Sequence, residues 1–364
     1  MTTVGVIGGG QLASMTAQAA RSLGITVSIL PDSSNDPGIQ FASYVAQDIE
    51  DLVTRSDVIT FENEFLDLSL LKTWERKGAK FLPNLNSLTC LLDKYEQRSF
   101  LLRHNLPTPE FSLIESYLSI SQPVFPVVMK ICRQGYDGKG TQFIYDMEQL
   151  TSSWQQLGKP PAIVESLIEF EQELAIMIAR SVTGDISLFP VVETQQINQV
   201  CRCVIAPARI SEQTKTTIET IVQEIVQKLN YIGILGVEFF LTKNDEVLVN
   251  EMAPRPHNSG HYTIEGCLTS QFDQLLRSIL GLPLAPTTMT SPVAIMVNLL
   301  GLQITDSEYN DRLIQLKQLP QTYLHWYNKT PRPGRKLGHV TILTDNYNQG
   351  LDIATIVEKI WYLK

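Results

Sequence analysis

The sequence predicts a mixed architecture: an α/β unit at the N-terminus, then an α+β body that ends in a small β-rich segment. Three observations predict it. The apolar run Thr3 to Ile7 enters Gly8-Gly9-Gly10-Gln11-Leu12-Ala13 and then a helical stretch to about Leu23, the opening of a βαβ unit. From Pro126 onward the apolar runs are short and separated by glycines and polar residues, as antiparallel strands are. Late in the chain, Gly236 to Thr242 and Val247 to Glu251 flank the polar string TKNDE and read as a hairpin.

The 364 residues suffice for two or three domains with cores of their own. The net charge of −9 with no basic block argues against nucleic acid as the main partner, while leaving room for small anionic substrates held by local arginines and amides. No apolar run approaches the ~18 residues that span a membrane, and Met1 leads straight into a strand, so neither a membrane segment nor a signal peptide is expected. Cys90, Cys132, Cys201, Cys203 and Cys267 lack zinc or redox spacing. Reduced thiols and a cytoplasmic protein are expected.

In the N-terminal unit, Gly24 stops the first helix and Thr26–Leu30 forms a second strand ending near Asp32. The turn reads G-x-G-x-x-A, whose glycines let backbone N–H groups approach an anion at the helix N-terminus. The pattern fits NAD and other phosphorylated ligands alike, and it also fits a tight turn that binds nothing. Val58–Phe61 is a further strand with Glu62-Asn63-Glu64 at its C-terminal end. That end faces the ligand crevice of open α/β sheets. The two acids there read equally as partners for ribose hydroxyls or an amine and as a solvated strand end. Leu68–Lys77 is helical, Lys80–Leu82 a short strand, and a helix carrying Asp93, Lys94 and Arg98 leads to Pro107 and Pro109. Those prolines mark a boundary, giving a first domain of 1–106.

The middle domain, 107–290, opens with a strand Pro126–Ile131 holding Lys130. Arg133-Gln134-Gly135-Tyr136-Asp137-Gly138-Lys139-Gly140 and a strand from Thr141 to Tyr145 come next. A glycine-rich loop between strands can fold over phosphates with flanking lysines supplying charge, or it can be a plain flexible hairpin. It is no Walker A loop, because the spacing is absent. Ala162–Ile168 is a strand with Glu165. A strand Leu174–Arg180 comes after Glu171 and Glu173. Ser187–Val192 and Cys201–Ile205 are further strands. Ser211–Asn230 is the clearest helix, with Ile218, Ile221, Val222, Ile225, Val226 and Leu229 on one face, and that stripe is core. Ser270–Leu280 is a second amphipathic helix, closed by Gly281.

The hairpin carries the chemistry. A two-residue turn at Asn244–Asp245 pairs Lys243 with Glu246 and, counting outward, Glu238 with Glu251. Opposed carboxylates ~5 Å apart repel, a cost that a divalent cation would turn into a site. Oxygen-only donors and a phosphate substrate favour magnesium. Two solvated edge carboxylates are the bland alternative. The adjoining stretch, Asn250 to His261 (NEMAPRPHNSGH), weighs against it. Pro254 and Pro256 stiffen Arg255, and Arg255, His257, Asn258 and His261 crowd one short loop.

In the last segment, 291–364, Pro292–Leu299, Tyr323–Tyr327 and Val340–Leu343 read as strands and Leu351–Leu363 as a helix. Between them Pro331 to His339 is a stiff turn with Arg332, Arg335 and Lys336. On the residues alone, a solvated basic turn on a small β domain is the simpler reading.

The order of these parts resembles the ATP-grasp superfamily over most of the chain. The strings NEMAPRPHNSGH and RPGRK-x-GH, with the GGGQL start and the GYDGKG loop, resemble the N5-carboxyaminoimidazole ribonucleotide synthase family closely. The resemblance implies an N-terminal Rossmann-like (pre-ATP-grasp) domain, an ATP-grasp domain with a lid at about 115–168, and a small C-terminal domain. It implies ATP-dependent carboxylation of 5-aminoimidazole ribonucleotide by bicarbonate through carboxyphosphate, in purine biosynthesis. It also implies a homodimer.

The same resemblance implies a role for each site residue. Glu238 and Glu251 hold Mg²⁺, with Mn²⁺ as a substitute, and Asn250 lies beside them. Lys130 and the loop Gly135, Tyr136, Asp137, Gly138, Lys139, Gly140 and Thr141 cover the ATP phosphates, and Lys94 matches another ATP-binding position. Glu165, Ser166, Leu167 and Ile168 form the hinge at adenine, and Glu173 meets the ribose. Arg255, His257, Asn258 and Lys336 face bicarbonate and the aminoimidazole. Gly10, Gln11, Leu12, Glu62 or Glu64, Tyr136, Asp137, Arg332, Arg335 and Lys336 line the ribonucleotide pocket.

Three departures stand out. The family's G-Q-L-G-R-M is here Gly10-Gln11-Leu12-Ala13-Ser14-Met15, its E-N-x-H is Glu193-Thr194-Gln195-Gln196, and Lys94 stands where some members have arginine. The first bears on the ribonucleotide pocket and the second on one nucleotide contact. Other ATP-grasp ligases share the carboxylate pair and loop but lack the two strings together. An NAD-dependent oxidoreductase would leave the carboxylate pair unexplained. A non-catalytic nucleotide-binding homologue would bind ATP without turnover.

Overall fold

A computed structural model describes residues 2–116, 123–133, 135, 138 and 140–363 of the chain. Thr3–Ile7, Thr26–Leu30, Tyr44–Val45 and Val58–Phe61 form a four-stranded parallel sheet, with Thr3–Ile7 between Thr26–Leu30 and Val58–Phe61. The helix Gln11–Ser22 packs Ala13, Ala17 and Ala20 near Val4, Val6, Val27 and Ile29 of the sheet. Small helix residues allow that close approach. Gly24 takes a left-handed φ of 66°, ending the helix as the sequence predicts. Lys80–Leu82 is not a strand of this sheet. It contributes one bridge, Ile59 to Phe81, because the helix starting at Leu85, capped by Asn84, takes the chain away.

The body is a nine-stranded sheet. Phe170–Arg180 pairs antiparallel with Gly233–Thr242, and that strand pairs with Val247–Ala253. The helix Glu212–Lys228, capped by the Ser211 hydroxyl, buries Ile218, Ile221, Val222, Ile225 and Val226 in one core with Ile176, Ile178, Leu235, Val237 and Phe239. Each such side chain contributes roughly 1.5–3 kcal/mol on burial, which makes this layer the rigid floor of the hairpin. The predicted strand Ser187–Val192 is instead two strands, Ile186–Leu188 and Val192–Ile197. Pro190 lies between them and cannot donate to a ladder.

A smaller antiparallel sheet of Phe111–Ile114, Ala162–Ser166, Val127–Ile131 and Thr141–Ile144 carries Lys130 and the glycine loop. The helix Met147–Gln156 closes its core with the buried Trp154.

Among the described residues, the C-terminal segment has no sheet of its own. Val293–Leu300 pairs with Val200–Ala206 on one side and Lys336–Thr344 on the other, so the last strands extend the central sheet. Strand structure begins at Lys336, earlier than Val340. Only residues up to Arg335 form the basic turn, and Lys336, Gly338 and His339 are fixed by ladder pairing.

Candidate active site

The two hairpin carboxylates do face each other: Glu238 pairs with Glu251 across the ladder. The route to that pairing differs from the predicted one. The loop has three residues, not two, since the Thr242 amide donates to the Glu246 carbonyl at 2.9 Å and Asp245 takes a left-handed φ of 59°. Lys243 therefore does not pair with Glu246. A β-bulge between Glu238 and Phe239 restores the lost step. The bulge leaves Asn250 as the extra residue beside the pair. Its Oδ1 accepts from Lys130 Nζ at 3.1 Å, and its Nδ2 donates to Glu238 at 3.4 Å.

Lys94 Nζ lies 2.7 Å from Glu251 Oε1. Desolvation works against the Lys94 charge, but Glu251 outweighs it and holds the ammonium above its usual value. Glu251 is correspondingly held down, despite burial, by Lys94. Among the described residues no lysine or arginine pairs directly with Glu238. Desolvation, then the charges of Glu251 and Glu173, push its carboxyl up to about 7. Glu173, reached by burial, rises to about 7 as well. His257 Nε2 stands 3.6 Å from Glu238 Oε1 and its Nδ1 is 2.8 Å from the Ser259 hydroxyl. A carboxylate crowded by two others is the kind of oxygen-rich setting in which a divalent cation would relieve the repulsion, although it is the Asn250 amide nitrogen, and not its oxygen, that faces Glu238.

Lys130 Nζ is 2.7 Å from Glu165 Oε2, and Arg98 binds the other oxygen. Burial, with Arg98 and Lys94 nearby, pulls Lys130 below its ordinary value in spite of Glu165. Burial pushes Glu165 up, yet Arg98 and Lys130 together hold its carboxyl down at about 2. Arg98 also donates to the Val249 carbonyl at 3.2 Å and the Asn250 carbonyl at 2.7 Å, tying the small sheet to the hairpin. Ser166 ends its strand, and Leu167 and Ile168 link it to Phe170–Arg180, at the junction of the two sheets. Gly138 and Gly140 have φ of 75° and 79°. A Cβ on Gly138 would sit 2.8 Å from Gln199, so the glycine loop abuts the turn after Gln195 and Gln196. Tyr136, Asp137 and Lys139 lie outside the described residues.

The glycine turn of the first domain is already filled by a carboxyl group. The Gly10 amide donates to Glu62 Oε1 at 2.9 Å and the Ala13 amide to Glu62 Oε2 at 3.4 Å. Glu62 thus sits where a dinucleotide pyrophosphate would bind this turn. Gly8 and Gly10 are required for that approach: a Cβ on Gly10 would lie 2.4 Å from Glu62 Oε1, and Gly8 has a φ of 97°. Ala13 serves through its amide, so the glycine-to-alanine departure there spares this contact. Its side chain is buried, with Gly38 packed against it. Leu12 is buried against Met15, Phe272 and Tyr327. Glu64 Oε1 meets Arg255 at 2.7 Å, and Arg255 also donates to the Pro256 carbonyl at 3.1 Å.

The structure therefore joins Lys94, Lys130, Glu165, Glu238, Asn250, Glu251 and His257 by direct contacts. Glu64 and Arg255 form a separate pair, and Gly10 and Glu62 another. Lys336 bears on Glu238 electrostatically. Arg335 donates to the Thr330 carbonyl at 3.0 Å, and Arg332 is exposed at the turn.

Four residues in this constellation escape motif reading. Arg98 stands one helical turn after Lys94, a spacing that places both on one face. Lys329 donates to Gln11 and faces Glu62; burial, then the charge of Arg335, brings its ammonium down to about 8. Gln271 clamps the His257 peptide, accepting from its N–H and donating to its carbonyl, both at 2.9 Å. Asn298 pairs with Asn258, and it is the lone polar residue of the strand VAIMVNLL, a signal that was readable.

Residues 1–91 match the model of the ribonucleotide synthetase preATP-grasp domain, 99–272 that of the ATP-grasp domain, and 294–352 that of the phosphoribosylaminoimidazole carboxylase C-terminal domain. N5-carboxyaminoimidazole ribonucleotide synthase of Synechococcus elongatus is 44% identical over 98% of this chain and 95% of its own. Phosphoribosylaminoimidazole carboxylase of Saccharomyces cerevisiae is 35% identical over 94% of this chain, which spans 64% of that longer protein. A solved N5-carboxyaminoimidazole ribonucleotide synthetase bound to ADP superposes with a TM-score of 0.91 at 33% identity, covering 99% of this chain and 97% of that one. The N5-carboxyaminoimidazole synthase of Aspergillus clavatus in complex with ADP and 5-aminoimidazole ribonucleotide gives a TM-score of 0.91 at 28% identity, covering 99% and 98%. With all three segments matched and the identity running the length of the chain, this protein belongs to the N5-carboxyaminoimidazole ribonucleotide synthase family of ATP-grasp ligases.

Proposed function

We propose that this chain couples ATP hydrolysis to carboxylation of 5-aminoimidazole ribonucleotide by bicarbonate. The observation that carries the reading is the meeting of the Glu238–Glu251 pair with His257 at the head of the Arg255–Asn258 loop. A bicarbonate oxygen attacks the γ-phosphorus, the bond to the β-phosphate oxygen breaks, and ADP leaves with carboxyphosphate formed. The exocyclic amine then takes the carboxyl carbon, either directly or from released carbon dioxide, and loses a proton as phosphate departs. Residues 1–106 supply much of the ribonucleotide pocket, 107–290 most of the ATP site, and 291–364 close the pocket.

Glu238 and Glu251 would hold Mg²⁺, or Mn²⁺ in its place. When bound, the ion neutralises the triphosphate charge that develops during phosphoryl transfer. Lys94, Lys130 and the loop Gly135–Thr141, including Tyr136, Asp137 and Lys139, neutralise and cover the phosphates. Residues 165–168 meet adenine through backbone groups, Glu173 meets the ribose, and Asn250 orients Glu238 and Lys130. Arg255, His257, Asn258 and Lys336 orient bicarbonate and the amine, and exclude water from the labile intermediate. Gly10, Gln11, Leu12, Glu62, Glu64, Tyr136, Asp137, Arg332, Arg335 and Lys336 form the ribonucleotide pocket. Lys329 joins them as a cation at Gln11.

We also infer a cytoplasmic homodimer. The five free cysteines agree with a reducing compartment, and light scattering of the purified protein tests the dimer.

The test is ADP release with Mg-ATP and bicarbonate, with and without 5-aminoimidazole ribonucleotide. Strong stimulation by the ribonucleotide, abolished in Glu251→Ala, supports the reaction and the metal role together. Bound ATP with no stimulation points to another acceptor and sinks the reading.

A further inference from the structure

Beyond His257, the loop lies across a polar row in the central sheet. Asn298, His339 and His325 stand opposite one another on three adjacent strands: Asn298 pairs with His339, and His339 with His325. Directly opposed residues project to one face. Along the loop, Asn258, His261 and Glu265 are spaced by three and four, and the short helices Asn258–Gly260 and Thr263–Gly266 turn all three the same way. They meet the row one for one. Asn258 bonds Asn298, the His261 ring lies 5.3 Å from that of His339, and Glu265 Oε1 is 2.7 Å from His325 Nε2.

The first of these contacts has a unique polarity. Asn298 is fully buried. Its Nδ2 donates to the Cys201 carbonyl at 2.9 Å and to Asn258 Oδ1 at 2.7 Å. A peptide carbonyl can only accept, so the Asn298 amide group must face it, and both amide hydrogens are then used. Asn298 Oδ1 is left to accept from Asn258 Nδ2, at 2.9 Å. That fixes which way round the Asn258 carboxamide sits. It keeps one N–H and one oxygen lone pair for other partners, and it cannot turn over without setting oxygen against oxygen.

We propose that Asn298 is a positioning residue for the carboxylation: it holds the Asn258 amide so that an N–H, and not the carbonyl oxygen, meets the bicarbonate-derived anion. The inference rests on the assignment of Asn258 to that anion under the proposed function. An inverted amide would turn a lone pair toward a negative charge and lose a charge-assisted bond. The orienting chain starts at the Cys201 carbonyl, runs through a strand of the C-terminal segment and ends at the Asn258 amide. The segment thereby acquires a part in the chemistry besides closing the pocket.

A double-mutant cycle on the whole enzyme tests this, reading kcat for ribonucleotide-stimulated ADP release, the ATP dissociation constant and the melting temperature. N298L is expected to lower kcat by at least about tenfold, as losing one oriented donor to a developing anion does, with ATP affinity unchanged. In the N258A background it is expected to change kcat by less than about twofold, because Asn298 acts only through Asn258. Normal kcat in a destabilised N298L, or losses that multiply in the double variant, would overturn the proposal. Normal kcat in N258A alone would instead sink the role of Asn258 itself. If N298L does not fold, N298D keeps the volume while replacing the donor by an acceptor, and the same cycle is read with it.

Discussion

The guanidinium of Arg98 and the carboxylate of Glu165 meet where each side chain is only 3% exposed. Arg98 comes from the helix Lys94–Arg103 and Glu165 from the small sheet, and the same arginine grips two hairpin carbonyls. The pair is thus the pin between the sheet that carries Lys130 and the hairpin that carries Glu238 and Glu251. Glu165→Gln leaves the Arg98 charge buried against a neutral amide and is expected to cost about 3 kcal/mol, near the lower end for breaking a buried pair. Because the Glu165 carboxyl is depressed to about 2, its contribution is present above its ordinary value of 4.5 and is lost as pH falls toward 2. Urea unfolding at pH 7 and pH 3 checks both points: the gap between the wild type and the variant should narrow at the lower pH.

Gly10→Ala should separate the two halves of the site. The added methyl would stand 2.4 Å from Glu62 Oε1, so Glu62 must leave the turn. A displacement of about 1 Å in a positioning group costs on the order of 100-fold in rate. The expected loss is in kcat/KM for 5-aminoimidazole ribonucleotide, with the ATP dissociation constant unchanged. Loss of ATP binding as well would mean that Glu62 does not belong to the ribonucleotide side.

Lys329 gives the site a pH dependence on its alkaline side. Its ammonium is brought down to about 8 from an ordinary 10.5. Between those values the folded protein has already shed a proton that the unfolded chain keeps, so stability from this group rises with pH over that window. Binding of a phosphate anion runs the opposite way, because the cation disappears. KM for the ribonucleotide is expected to climb above pH 8, approaching about tenfold per pH unit. Lys329→Met should start with a raised KM at pH 7 and show a flatter profile.

Much of this was legible in the chain. The glycine turn, the strand ends at Glu62 and Glu64, the amphipathic helix Glu212–Lys228 and the hairpin acids are products of periodicity and local turn chemistry. What stayed hidden was long-range. Nothing local says that Glu62 fills the turn 52 residues before it, that Gln271 grips the His257 peptide, or that Asn298 orients Asn258. These are hydrogen bonds between segments that only the tertiary fold brings together. The docking of the C-terminal domain stayed hidden for the same reason: its strands are local, but the edge they join, Val200–Ala206, lies far back in the sequence.

The hairpin register offers a last test, since two irregularities cancel in it. The three-residue loop moves every pair by one step from the two-residue count, and the bulge at Glu238 moves it back. If the bulge alone aligns the carboxylates, relaxing the loop should leave them aligned. Asp245 carries a left-handed φ of 59°, a conformation that favours glycine. Asp245→Gly removes that strain but adds freedom to the unfolded chain, so the net gain is at most about 1 kcal/mol. Denaturant midpoints should rise slightly or stay level, and ribonucleotide-stimulated ADP release should be unchanged. A variant that gained stability and lost activity would show that the loop, and not the bulge, holds Glu238 opposite Glu251.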